Sequence, residues 1–205
     1  VTRRLFVAAW LPDAAAREAA GVLRRLRADA GVADVKWVSP ENLHVTLRFL
    51  GDVEEDRVPA VRDCVERAAA GVLPFRLRLA GVGAFPPRGA PRVLWIGIAD
   101  GAKELARLAS RTEKQLLDRG LIGAPETRPF RAHVTLGRPR GTRSPGRTAD
   151  LLGEVAFEGG AHRLEEVRLV ESRLSPRGAS YTAVARVPLG GARASESTTL
   201  EGGTT

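Results

Sequence analysis

The sequence predicts an α+β fold with largely antiparallel sheets, and three observations carry that expectation. Apolar residues switch along the chain between the strand period of about two and the helix period of about 3.6. Most connections between strands are too short for a doubly wound parallel sheet, whose crossovers are long. One tetrapeptide, His-Val-Thr-Leu, occurs twice on strand-like patterns, at His44–Leu47 and His133–Leu136, which points to two related half-modules.

The elements follow in order. Leu5–Leu11 reads as a strand, stopped by Pro12 and Asp13. Asp13–Ala30 reads as a helix, because Ala15, Ala19, Val22 and Leu26 recur at helical spacing. Lys36–Val38 is a short extended piece, and Leu43–Leu50 is a strand with clean alternation. Glu54–Gly71 is a helix with an apolar stripe of Val58, Val61, Val65, Ala68 and Val72. Phe75–Val82 and Arg92–Ile98 are strands around a turn-rich loop at Phe85–Pro91. A third helix covers Ala102–Arg119, with Leu105, Leu108, Thr112 and Leu116 on one face, and Gly120 stops it. Phe130–Gly137 is a strand, and Arg138–Ala149 is a basic loop rich in proline and glycine. Leu164–Leu174 and Tyr181–Leu189 are the last strands, separated by a turn at Pro176-Arg177-Gly178. Residues 1–189 are expected to form one domain. Residues 190–205, mostly small and polar, are expected to form a disordered tail.

Composition narrows the function. With 205 residues and 43% apolar content, the chain can bury a sizeable core. The formal charge of +8 favours anionic partners, including RNA; nearly all of it is arginine, since lysine occurs only at 36, 103 and 114. No apolar run reaches the roughly 18 residues that span a bilayer. The single cysteine, Cys64, lies close to the apolar face of its helix and reads as a buried structural thiol. A G-x-S-x-G elbow, a G-x-x-x-x-G-K-[ST] loop and an H-E-x-x-H pair are all missing from the sequence. The expectation is therefore a cytoplasmic monomer with no cofactor, no metal and no obligatory protein partner.

The repeated tetrapeptide carries the chemistry. A chance match of the three residues after each histidine is about a one-in-a-thousand event on ordinary composition. Strand alternation puts Leu43, Val45, Leu47 and Phe49 on one face and His44, Thr46 and Arg48 on the other. In the second copy Phe130, Ala132, Val134 and Leu136 face the core, with Arg131, His133 and Thr135 opposite. Side by side, the two strands would make a cleft with two imidazoles and two hydroxyls, flanked by Arg131 and Arg48. Hydrolysis of a cyclic phosphate needs that set. One imidazole takes a proton from water and the other gives one to the departing oxygen. Hydroxyls and an arginine fork hold the phosphoryl oxygens. The third histidine, His162, has no threonine two residues on and reads as strand-edge structure. Six arginines lie between Thr127 and Ala149: Arg128, Arg131, Arg138, Arg140, Arg143 and Arg147. Arg131 is assigned to the reacting phosphate and the later ones to upstream phosphates of an RNA chain.

At these residues the sequence resembles the 2H phosphoesterase superfamily, whose signature is a pair of His-x-Thr/Ser-x motifs. Within it, the resemblance is to the LigT-like RNA 2′,3′-cyclic phosphodiesterases. It extends over Arg4–Ala8, Trp37–Gly51, Pro91–Trp95, Arg128–Leu136 and Glu171–Ser175. The resemblance implies a bilobal α+β fold, with two pseudo-symmetric lobes of antiparallel sheet around a central cleft. It implies that His44 is the proton donor to the 3′ oxygen and His133 the proton acceptor from water. Thr46, Thr135, Arg131 and Arg48 would bind substrate, and the product would be a 2′-phosphate end. The competing readings are 2′-5′ RNA ligation by the same residues, a small cyclic nucleotide as substrate, and a catalytically silent RNA-binding protein. Two positions depart from the family pattern: Ala132 stands where proline is common, and Gly137 where alanine is common.

Overall fold

The computed structural model describes residues 1–28, 34–87, 89–140, 152, 155–175 and 178–191. Among them the chain forms β1 (Thr2–Trp10), α1 (Asp13–Ala28), β2 (Val35–Trp37), β3 (His44–Glu54), α2 (Val58–Ala70), β4 (Phe75–Phe85), β5 (Val93–Asp100), α3 (Ala102–Asp118), β6 (His133–Pro139), β7 (Glu158–Leu164), β8 (Glu166–Ser175) and β9 (Gly178–Pro188). The strands make one sheet in the order β7-β4-β5-β6-β3-β1-β8-β9, with β2 paired to β6. Every pairing is antiparallel, and the directly connected pairs β4–β5 and β8–β9 have the short links that this arrangement permits. The order is symmetric about the β6–β3 seam: four strands lie on each side, and a His-Val-Thr-Leu strand is innermost in both halves. These are the two lobes.

The helices cover one face of the sheet. α1 buries Ala15, Ala19, Val22, Leu23 and Leu26, and its last-turn Arg25 and Arg27 complement the helix dipole. α2 buries Val58, Val61, Val65 and Ala68. α3 buries Leu105, Leu108, Thr112 and Leu116. It stops at Gly120, whose φ of 60° suits a residue without Cβ; beyond it, the Leu121 amide donates to the Leu116 carbonyl at 2.9 Å. Beneath the helices lie Leu5, Val7, Ala9, Val45, Leu47, Leu94, Ile96, Val134 and Leu136, all buried in one core. Each large side chain there contributes about 1.5–3 kcal/mol of burial. A separate small cluster of Phe6, Ala8 and Val170, with Trp10 and Tyr181 against it, forms on the other face. Cys64 is fully buried, and its thiol lies 3.3 Å from the Gln115 carbonyl. Burial pushes that thiol above its ordinary range, consistent with a structural role.

Several elements differ from the sequence reading. β3 runs on to Glu54, because Asp52, Val53 and Glu54 pair with the start of β1. α2 therefore begins at Val58, with a proline in its first turn where the missing amide costs nothing. β7 has no counterpart in the sequence reading, since Gly159 and Gly160 blank its apolar pattern. The strand expected from Leu164 begins at Glu166 as β8, and Leu164 itself ends β7. β7 pairs with β4, and β8 pairs with β1 and β9. The strand expected from Phe130 starts only at His133. Arg138 and Pro139 belong to β6 rather than to a loop, because β2 pairs with them. Residues 141–150 of the expected basic loop, Arg143 and Arg147 among them, lie outside the described residues, as do 192–205 of the expected tail.

The second departure from the family pattern has a packing reason. A Cβ on Gly137 would sit 2.6 Å from Val35 Cγ1 and 2.9 Å from Trp37 Cε3, both on β2. Gly137→Ala is expected to destabilise the chain by about 1–2 kcal/mol through overpacking. A lowered urea midpoint at unchanged slope would show it; an unchanged midpoint would mean that β2 yields without cost.

Candidate active site

The innermost strands bring the two tetrapeptides together. β3 and β6 pair at Val45 and Val134, the second residue of each motif. Continuing that antiparallel register by one residue each way sets His44 opposite Thr135 and Thr46 opposite His133. Because side chains alternate, all four lie on the face away from the helices. The seam thus acts as a local two-fold axis relating one histidine to the other.

The two imidazoles are held in the same way. His44 Nδ1 donates to the Asn42 carbonyl at 2.7 Å, and His133 Nδ1 donates to the Arg131 carbonyl at 2.7 Å. A carbonyl only accepts, so Nδ1 carries the proton in both and Nε2 is the atom that titrates. The Thr46 hydroxyl lies 3.1 Å from His44 Nε2. His44 sits in an aromatic box. Trp10 stacks on it at 5.0 Å between centroids and 14° between planes, Phe6 lies at 5.1 Å, and Tyr181 meets it edge-on at 5.6 Å. The Arg168 guanidinium lies over the Trp10 ring at 5.1 Å. His133 is more open, with Phe85 edge-on at 5.2 Å. Burial lowers the pKa of both imidazoles below the ordinary histidine value, against the pull of their backbone hydrogen bonds. His133 lowers His44 further, and Arg138 lowers His133.

Alternation does not persist past the motifs, because each motif strand carries a bulge at the same place. Val7 and Ala8 of β1 pair with Arg48 and Thr46, leaving Leu47 extra. Leu94 and Trp95 of β5 pair with Gly137 and Thr135, leaving Leu136 extra. A bulge shifts the following residues by one and exchanges their faces.

Arg48 therefore does not share the face of His44 and Thr46, where strict alternation puts it. It turns to the helix side, where Nη1 lies 2.7 Å from Glu113 on α3 and Nη2 donates to the Ala124 carbonyl at 2.9 Å. It fastens α3 and its following turn rather than flanking the cleft. Phe49, expected in the core, emerges on the cleft side against Phe6 at 5.8 Å. Arg138, expected in the loop, is turned by the bulge to the face that carries His133, and its charge pulls the pKa values of His133 and Tyr181 down. It occupies the position in the second copy that Phe49 occupies in the first, five residues after the histidine. Spacing from the motif was a usable signal for Arg138, but only with the bulge known. Arg131 places its guanidinium 5.9 Å over the Phe85 ring, which touches His133. His162 lies on β7 with Nε2 3.1 Å from Glu18 Oε1, away from the other two histidines.

The doubled architecture recurs in comparisons with known proteins. The family described as LigT like Phosphoesterase matches residues 10–95 and, separately, 96–181, so each match contains one histidine motif. The chain belongs to the LigT-like phosphoesterase family. A protein of Archaeoglobus fulgidus named RNA 2′,3′-cyclic phosphodiesterase is 36% identical over 179 residues, 87% of this chain and 96% of its own. One of the same name from Aeropyrum pernix is 40% identical over 166 residues, 78% of this chain and 91% of its own. The crystal structure of a Thermus thermophilus protein matches with a TM-score of 0.75 at 30% identity, over 93% of this chain and all of that one. E. coli LigT in apo form matches with a TM-score of 0.70 at 25% identity, covering 92% and 98%. This LigT-like chain thus has its family's fold over nearly its whole length. No helix among its described residues is long and apolar enough to cross a membrane.

Proposed function

We propose that this LigT-like phosphoesterase hydrolyses the 2′,3′-cyclic phosphate end of RNA to a 2′-phosphomonoester by acid–base catalysis between two histidines. The observation that carries the reading is the pair of imidazoles on adjacent strands and one face of the sheet, each with Nδ1 bonded to a backbone carbonyl so that Nε2 is left for proton transfer. The curated relatives' activity agrees with it.

In this mechanism His133 Nε2 takes a proton from water as the water oxygen bonds to phosphorus. The bond from phosphorus to the 3′ oxygen breaks on the opposite side, and that oxygen takes the proton of His44 Nε2. Solvent then returns both histidines to their starting states. His133 is the more open of the two, which suits the imidazole that meets water; His44, boxed by aromatic rings, suits the one that meets ribose. Thr46 and Thr135 donate to the non-bridging oxygens. Arg131 and Arg138 neutralise their charge, Arg138 taking the place that strict alternation assigns to Arg48. Both half-sites come from one chain, so a monomer acting on RNA without a protein partner is sufficient.

The test is an oligoribonucleotide ending in a 2′,3′-cyclic phosphate, incubated with the protein in EDTA. Turnover at the rate seen without chelator, with phosphate left on the 2′ oxygen, is expected. A 3′-phosphate product, or loss of turnover in EDTA, would overturn the mechanism.

A further inference from the structure

Resting on the hydrolytic reading, we infer that Trp10 and Arg168 are positioning residues for the proton donor: the guanidinium clamps the indole, and the indole holds the His44 ring in the plane that presents Nε2 to the substrate. Register brings the three side chains together. Trp10 pairs directly with His44 across β1 and β3, while Arg168 on β8 pairs with Ala8, one diagonal step from Trp10. Diagonal neighbours in a sheet lie within reach of aromatic and long side chains. Because β1 runs between β3 and β8, the indole is covered from both sides. His44 stacks on it at 5.0 Å and 14° between planes, and the Arg168 guanidinium lies 5.1 Å from its centroid.

The other half lacks this device. The residue paired with His133 on β5 is Gly97, where a Cβ would sit 2.7 Å from the Ala80 carbonyl oxygen. The aromatic neighbour of His133 is Phe85, which meets it edge-on rather than flat. Equivalent positions across from the two histidines thus hold the largest side chain and none at all. An imidazole tied through Nδ1 can still rock about that bond, which suits a base facing mobile water. A donor must aim Nε2 at one ribose oxygen, and a flat ring against its face removes the rocking. Arg168 keeps its place against a cost: it lies directly opposite Arg186, and like charges opposed across strands destabilise a sheet. Glu166 offsets the pair, 2.7 Å from Arg168 and 3.7 Å from Arg186. The Arg168 side chain is only 19% exposed, so its flat face is spent on Trp10 rather than on solvent. The other titratable or charged groups around His44 are His133 on β6 and Tyr181 on β9, both under the charge of Arg138; Glu41, beside Asn42, is exposed. Trp10 itself is uncharged and acts by excluding water.

The experiment takes pH profiles of kcat and kcat/KM on 2′,3′-cyclic AMP for Trp10→Ala, Trp10→Phe, Arg168→Leu and the Trp10→Ala, Arg168→Leu double variant. Trp10→Ala is expected to lower kcat about ten- to a hundredfold with KM nearly unchanged, the loss that follows from misaiming one reacting group. Its alkaline limb of kcat/KM should move to higher pH, because water reaching the imidazole favours the charged form. Trp10→Phe keeps a flat ring and should restore most of both. Arg168→Leu should shift both in the same direction by less, and should add nothing in the Trp10→Ala background, since it acts through the indole. An unmoved alkaline limb in Trp10→Ala would overturn the clamp. So would an Arg168→Leu loss that persists in the double variant or appears as a raised KM. NMR titration of the histidines supplies a second measurement independent of turnover: the His44 midpoint should rise in Trp10→Ala, and by more than that of His133. That rise without hydrolysis would sustain the clamp on the imidazole while sinking the hydrolytic reading. Hydrolysis with an unmoved His44 midpoint would do the reverse.

Discussion

Replacing either His44 or His133 with alanine is expected to lower kcat by about 10²–10⁴-fold, the usual loss for one general acid or base. Each imidazole is only partly buried and holds its neighbours through one backbone hydrogen bond, so the fold should survive. The double variant should lose less than the product of the single losses, because a proton taken is useful only when one is given. The pH profile carries the sign. Both imidazoles have pKa values lowered in the free protein, mainly by burial. The reactive form has His133 neutral and His44 protonated. The bell in kcat/KM should therefore be centred below the ordinary histidine value of about 6.5, with both limbs belonging to the coupled pair. A bound phosphodiester adds negative charge and favours protonated His44, so the alkaline limb of kcat should lie at higher pH than that of kcat/KM. Near-wild-type turnover in either single variant would sink the two-histidine mechanism, as would a rate that rises without limit towards alkaline pH.

Arg138→Gln is expected to lower kcat/KM by about 10–10²-fold, since it removes a charge-assisted donor from the phosphoryl oxygens. The loss should be seen equally with a cyclic mononucleotide and with an oligonucleotide. That pattern separates a contact to the reacting phosphate from one to upstream phosphates, which a mononucleotide lacks. A second readout distinguishes it from simple loss of binding. Arg138 depresses the His133 pKa, so the glutamine variant should raise it and move the acid limb of kcat/KM to higher pH. Arg138→Lys should recover much of the limb position but less of the rate, because an ammonium replaces the charge and not the planar fork. Full activity with an unmoved acid limb would return Arg138 to the solvated surface.

The sequence by itself determined the antiparallel α+β class, the stripes of all three helices and the two strands that carry the repeated tetrapeptide. Those features depend on local periodicity, which is written residue by residue: Val58, Val61 and Val65 recur at helical spacing whatever they pack against. It also singled out His44 and His133, because a repeated tetrapeptide needs no fold to be visible. Only the tertiary structure decided which residues beyond each motif share the cleft. A bulge is a mismatch in length between two paired strands, and neither strand carries it alone. The shift at Leu47 sent Arg48 to Glu113 and Phe49 to the cleft; the shift at Leu136 raised Arg138 beside His133. Strict alternation misplaced Arg48 and Phe49 by one residue, which in a sheet is the difference between the two faces, and Arg138 was read as loop because its pairing with β2 is not written in its own segment.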